Sequence, residues 1–120
     1  MVTPRSIHVV IDADDVDAQC DFWTAALGYE RFGRFEQYRS AVPPEGATGP
    51  KLIFQGVPEG RAPGKNRLHL DIEVGDEIEA EATRLEALGA TRRSDPIDEA
   101  GTSWIVMADP EGNEFCLVHH

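Results

Sequence analysis

Two stretches of the chain alternate apolar and polar residues with period two, Ile7, Val9 and Ile11 in one and Leu68, Leu70 and Ile72 in the other. This alternation predicts half-buried strands, with His8 and His69 pointing to the face opposite the apolar residues. The period then lengthens to helical spacing, through Val16, Cys20, Trp23 and Leu27 and again through Ile78, Ala82, Leu85 and Leu88. Asp14-Asp15 and Asp76 are placed to cap these helices, and Gly28 and Gly89 to end them in the left-handed region. Phe22 and Trp23 are assigned to helix-on-sheet packing. Strand patterns follow over 29–35, 38–42 and 51–57 in the first half and 90–94, 102–107 and 114–118 in the second. Pro43-Pro44-Glu45-Gly46 and Asp109-Pro110-Glu111-Gly112-Asn113 supply turns between them.

The two patterns are copies. Residues 7–28 lie over residues 68–89 at a constant offset of 61, which matches His8 with His69, Asp15 with Asp76 and Leu27-Gly28 with Leu88-Gly89. An offset close to half of 120 residues points to a duplicated βαβββ unit. The expected fold class is α+β, with two βαβββ half-modules, about 1–58 and 66–120, in one domain. The Gly/Pro-rich stretch from Gly56 to Asn66 joins them. Its GRAPGK is one residue short of a phosphate-binding loop and is followed by Asn66 where that motif has Ser or Thr.

Composition narrows the partners. Eleven basic against twenty-two acidic residues give a net charge of −11, which repels nucleic-acid backbones and anionic lipid. No apolar run approaches the roughly 18 residues of a membrane span, and MVTPRSIHVV has no signal-peptide apolar region, so the chain reads as cytoplasmic. Two cysteines, Cys20 and Cys116, make no zinc-finger framework, and Cys20 falls on the apolar stripe of the first helix, which argues against a disulfide.

A βαβββ pair with a histidine in each first strand, helices ending in Leu-Gly and a DP-x-GN turn before the last strand resembles the vicinal oxygen chelate superfamily. The stretches DFWTAALGYE, LIFQGVPEG, NRLHLDIEV, LEALGAT and WIVMADPEGNEFCLV resemble its glyoxalase-like branch, to which the bleomycin-resistance proteins and extradiol dioxygenases are related. The resemblance implies a cupped eight-stranded mixed sheet with helices on its convex face, a small-molecule pocket, and a divalent metal held from the first and fourth strands of each half. Carried over, the first-strand ligands are His8 and His69; the fourth-strand positions, usually Glu, hold Gln55 and Cys116. Two histidines, a glutamine and a neutral thiol leave a dication uncompensated. The pattern permits one divalent metal, with zinc, iron, nickel and manganese all open, or none; Cys116 as a thiolate favours a softer ion.

Each candidate has a functional and an ordinary reading. His8 and His69 line a pocket or are hydrogen-bonded strand histidines. Cys116 is a small hydrophobe bordering the ligand before it is a nucleophile. Gln55 orients a carbonyl or faces solvent; Trp104 walls the pocket or fills the core. Asp71 and Glu114, by strand parity on the face of His69 and Cys116, are the candidate general bases, or rim charges. The first expectation for function is a metal-dependent lyase, isomerase or dioxygenase acting on vicinal oxygens, though not glyoxalase I itself, whose glutamates are replaced here. The alternative is a metal-free binding protein of the bleomycin-resistance kind. A homodimer is expected from the resemblance, and His119-His120 carry no weight in the site.

Overall fold

The computed structural model describes residues 3–120; Met1 and Val2, at the head of the N-terminal stretch read above, lie outside the described residues. Contacts divide the chain into two compact units, Met1–Gly60 and Arg61–His120. In the first, β1 (His8–Ala13) leads into α1 (Val16–Leu27), then β2 (Glu30–Phe35), β3 (Tyr38–Val42) and β4 (Lys51–Gly56). The sheet order is β1-β4-β3-β2, with β1 parallel to β4 and the other pairs antiparallel. Alternation does its expected work, turning Val9, Ile11 and Ala13 inward and leaving His8, Val10 and Asp12 exposed.

α1 lies on β3 and β4, bringing Cys20 and Trp23 together with Ala41, Leu52 and Phe54, all buried. Phe22 and Trp23 meet edge to face at 5.1 Å. One charged residue joins this layer: Arg39 of β3 is buried, its Nε 2.7 Å from Asp17 Oδ1 on α1, while Nη1 donates to the carbonyls of Glu36 and Tyr38. The buried guanidinium is thus met by a carboxylate that itself remains exposed and by two backbone carbonyls.

The second unit repeats the plan with β5 (Leu70–Glu73), α2 (Ile78–Ala87), β6 (Thr91–Arg92), β7 (Ile97–Glu99), β8 (Thr102–Ala108) and β9 (Glu114–His119). Its order is β5-β9-β8-β6, with β7 paired to β8 and β5 parallel to β9. Ala82 and Leu85 of α2 are buried, as are Ile105, Met107, Phe115 and Leu117 of the strands it covers. Both helices stop the same way: Tyr29 N–H donates to the Thr24 carbonyl and Ala90 N–H to that of Leu85, with Gly28 and Gly89 at φ 68° and 117°. Asp15 caps α1 by accepting from Ala18 N–H, whereas α2 begins after Glu77 and has no side-chain cap from Asp76. Two further differences from expectation concern strands. Leu68 is 87% exposed and outside β5, and β7 adds a strand that one apolar residue, Ile97, was too weak a signal to announce. Among the described residues no helix is long and apolar enough to cross a membrane.

Candidate functional site

The face of the second sheet away from α2 is read most directly through its pairing. Asp71 on β5 pairs with Cys116 on β9, and Cys116 with Val106 on β8. Beyond β6, Arg93 N–H donates to the Val106 carbonyl, so Asp71, Cys116, Val106 and Arg93 form one row across the sheet. Glu114 pairs with Ala108 one row away, and Trp104 with Val118 on the other side; both side chains are half-buried. Glu73, paired with Val118, adds a third carboxylate to this face beside Asp71 and Glu114.

At one end of that row three ligating side chains converge. His69 Nε2 is 3.2 Å from Asp71 Oδ1, and the ligand atoms of His69, Asp71 and Cys116 all lie within 4.8 Å of one another. Donor atoms around one tetrahedral zinc stand about 3.2–3.8 Å apart, so modest rotation of His69 and Asp71, both exposed, closes the difference. The set offers nitrogen, oxygen and sulfur, and Asp71 brings the negative charge that the expected ligand pattern lacked. It therefore fits a borderline-soft dication. Burial pushes the Cys116 thiol above its ordinary pKa; the Asp71 and Glu114 carboxylates act the same way and Lys65 opposes them.

The base of β9 is held by its turn. Buried Asp109 accepts at Oδ1 from the N–H groups of Glu111 and Asn113 and at Oδ2 from the Asn113 side chain, and Gly112 takes φ 91° to close the loop. The DP-x-GN sequence is thus a self-capped turn. Asn113 Oδ1 in turn accepts from Arg61 Nε, and Asn66 donates to the Glu114 carbonyl. The Gly/Pro-rich connection is consequently tied to β9 from Arg61 onward. Lys65 Nζ stands 2.5 Å from Glu114 Oε1.

The remaining sequence candidates lie in the first unit, on the open face of its sheet: His8 pairs with Lys51 and Gln55 with Asp12. Asp12 is four residues from His8, about 13 Å along the strand, so these two do not meet within the unit. The reason is register. His8 pairs 43 residues on, with Lys51, whereas Leu70 pairs 45 residues on, with Phe115. Counted through the pairing, the counterpart of Cys116 is Ile53, not Gln55, and that of Asp71 is Val10. The two-residue difference preserves facing, because strand parity has period two, but it gives the second unit a ligand cluster where the first has apolar side chains.

The sequence marks Asp71 as a candidate base and carries no signal for Arg61, Lys65 or Arg93. Strand parity placed Asp71 on the right face; no periodic signal marks loop cations, whose position depends on the turn they bind.

Comparison with known proteins agrees with this architecture. Residues 8–118 match the family described as glyoxalase-like domain. Among solved structures, a glyoxalase/bleomycin resistance protein/dioxygenase family enzyme from Burkholderia phytofirmans superposes with a TM-score of 0.78 at 20% identity, covering 93% of this chain and 95% of that one. A hypothetical protein from S. aureus gives 0.77 at 12% identity over 99% and 96%. The fosfomycin resistance protein FosX from Mesorhizobium loti gives 0.75 at 13% identity over 100% and 94%. No curated protein matches the chain significantly. With the family match spanning nearly the whole chain and the fold shared across these structures, the chain belongs to the glyoxalase-like domain family, a branch of the vicinal oxygen chelate superfamily.

Proposed function

We propose that this chain is a small-molecule-binding protein, its two units forming one domain, in which His69, Asp71 and Cys116 hold a divalent metal for lyase, isomerase or dioxygenase chemistry on a substrate with vicinal oxygens. The convergence of these three ligand atoms within 4.8 Å carries the reading. Such a dication polarises coordinated oxygens and stabilises developing negative charge. The protein groups have separable roles. Asp71 contributes a carboxylate to the site, and Glu114, outside the cluster and held by Lys65, is the carboxylate left to take a proton from substrate. Trp104 supplies an apolar wall on the same face. His8 and Gln55 are the corresponding ligand-facing candidates on the open face of the first unit's own sheet. The working form is a homodimer.

The test is elemental analysis of protein purified without metal-affinity steps, with His119 and His120 replaced so that they contribute no ligand. One equivalent of metal per chain is expected, and at a hundredfold excess over Kd a rise in Tm on the order of 10 °C. His69→Ala and Asp71→Asn abolish both. If no metal co-purifies and zinc, iron, nickel and manganese all leave Tm unchanged, the metal-free sequestering protein of the bleomycin-resistance kind replaces this reading.

A further inference from the structure

The protein as a whole is strongly acidic, yet one cleft on the second unit is basic. It has a volume of about 280 Å³ and is lined by Arg61, Gly64, Lys65, Arg93, Gly112 and Glu114. Three cations thus face one carboxylate, in a chain whose net charge is −11. Their partners decide whether that charge is available. Arg61 is fixed by four neutral oxygens, those of Asn113, Ala62, Gly64 and Asn66, so it is rigidly placed without losing its charge to an anion. Arg93 makes no ion pair among the described residues, whereas its neighbour Arg92, on the opposite face, is held by Glu79 and Glu86. Lys65 is the one cation of the three already matched, by Glu114. Gly64 and Gly112, at φ 102° and 91°, border the cleft without filling it.

We infer that this cleft binds the oxyanion of the substrate, a carboxylate or a phosphate group. This rests on the proposed function, which it deepens by naming the substrate class: a small molecule with oxygen donors at one end and an anionic group at the other. The sheet fixes the span. Arg93 and Cys116 share a row but stand two strands apart, which places their backbones about 10 Å from each other. A side chain as long as arginine shortens that distance, so a molecule of a few carbon atoms reaches from the anion cleft to His69, Asp71 and Cys116. Guanidinium groups suit both oxyanions through paired N–H donors, and two uncancelled cations favour a dianion over a monoanion.

Amide chemical-shift titrations of the metal-free protein with inorganic phosphate, malonate and acetate test this at fixed ionic strength. Phosphate or malonate is expected to shift Arg61, Lys65, Arg93 and Gly112 with a millimolar Kd, acetate at least threefold more weakly; which dianion binds tighter separates a phosphate-bearing from a carboxylate-bearing substrate. Arg93→Gln is expected to weaken the tighter probe at least fivefold, and Arg34→Gln, on the first unit, to leave it unchanged. His69→Ala keeps anion binding, so failure of the metal reading is distinguished from failure of this one. Absence of saturable shifts, or equal weakening by Arg93→Gln and Arg34→Gln, overturns the inference. Arg61→Lys checks the fixed guanidinium: it keeps the charge but loses the four-oxygen clamp, and a fold-change below two also counts against the cleft as drawn.

Discussion

Asp109 shows how much one side chain does near the site. Its carboxylate is buried and takes two backbone N–H groups and an amide, and the strand that follows carries Glu114 and Cys116. Removing it strands those donors, each worth about 1–3 kcal/mol when left unsatisfied next to a lost charge-assisted bond. Asp109→Ala is therefore expected to cost about 2–4 kcal/mol in urea denaturation, and Asp109→Asn less, since it retains one acceptor. Asp17 offers the pH counterpart. Its hydrogen bond to Arg39 is the largest of the influences that hold its carboxyl below the ordinary aspartate value of 3.8. A depressed carboxylate stabilises the fold fully above its unfolded pKa, and the contribution disappears as pH falls through the folded value. Wild type is thus expected to exceed Asp17→Asn in stability by a constant margin above about pH 5. That margin should shrink as pH falls below 3.8, and a gap indifferent to pH across the acid range contradicts the pairing.

At the scale of elements, helices and their ends were legible because each signal is local: 3.6-residue spacing, Asp15 before α1, Gly28 and Gly89 after. Strand register was not legible. The 61-residue repeat aligns the halves in sequence, but pairing is decided by turns and crossovers that differ between them, and β4 and β9 sit two residues apart relative to their parallel partners. That shift hid the association of Asp71 with Cys116 and produced the match of Cys116 with Gln55. Val10 and Ile53 pair on the open face of the first unit beside the strand that begins at His8, and Val10 is 52% exposed. Val10→Asp with Ile53→Cys places His, Asp and Cys in the arrangement of the second unit. Elemental analysis is expected to rise from one metal per chain to two, whereas Val10→Asp with Gln55→Cys, which follows the sequence repeat and not the register, stays at one.

For the whole molecule, the question is what covers its edges. Both outer strands of the first sheet, β1 and β2, lack a second neighbour in that sheet, and every residue of β2 is exposed, Phe32 and Phe35 at 66% and 69%. Lys51 lies over the Phe32 ring at 4.8 Å, which covers part of it; Phe35 has no such cation among the described residues. An exposed edge with two aromatic residues is a surface that a soluble protein pairs or blunts, and a second copy is the simplest cover for it. Charge opposes that association, because each copy carries −11 and the repulsion is felt over the Debye length, about 30 Å at 0.01 M salt but about 8 Å at 0.15 M. Sedimentation is therefore expected to give a homodimer whose Kd falls as salt rises from 0.01 to 0.15 M. That direction is the reverse of an interface built on ion pairs. Phe32→Ser with Phe35→Ser is expected to raise the Kd at least tenfold while leaving the proposed metal and anion sites of the second unit intact. A monomer at all salt concentrations, or a dimer indifferent to the two substitutions, removes β2 as the interface.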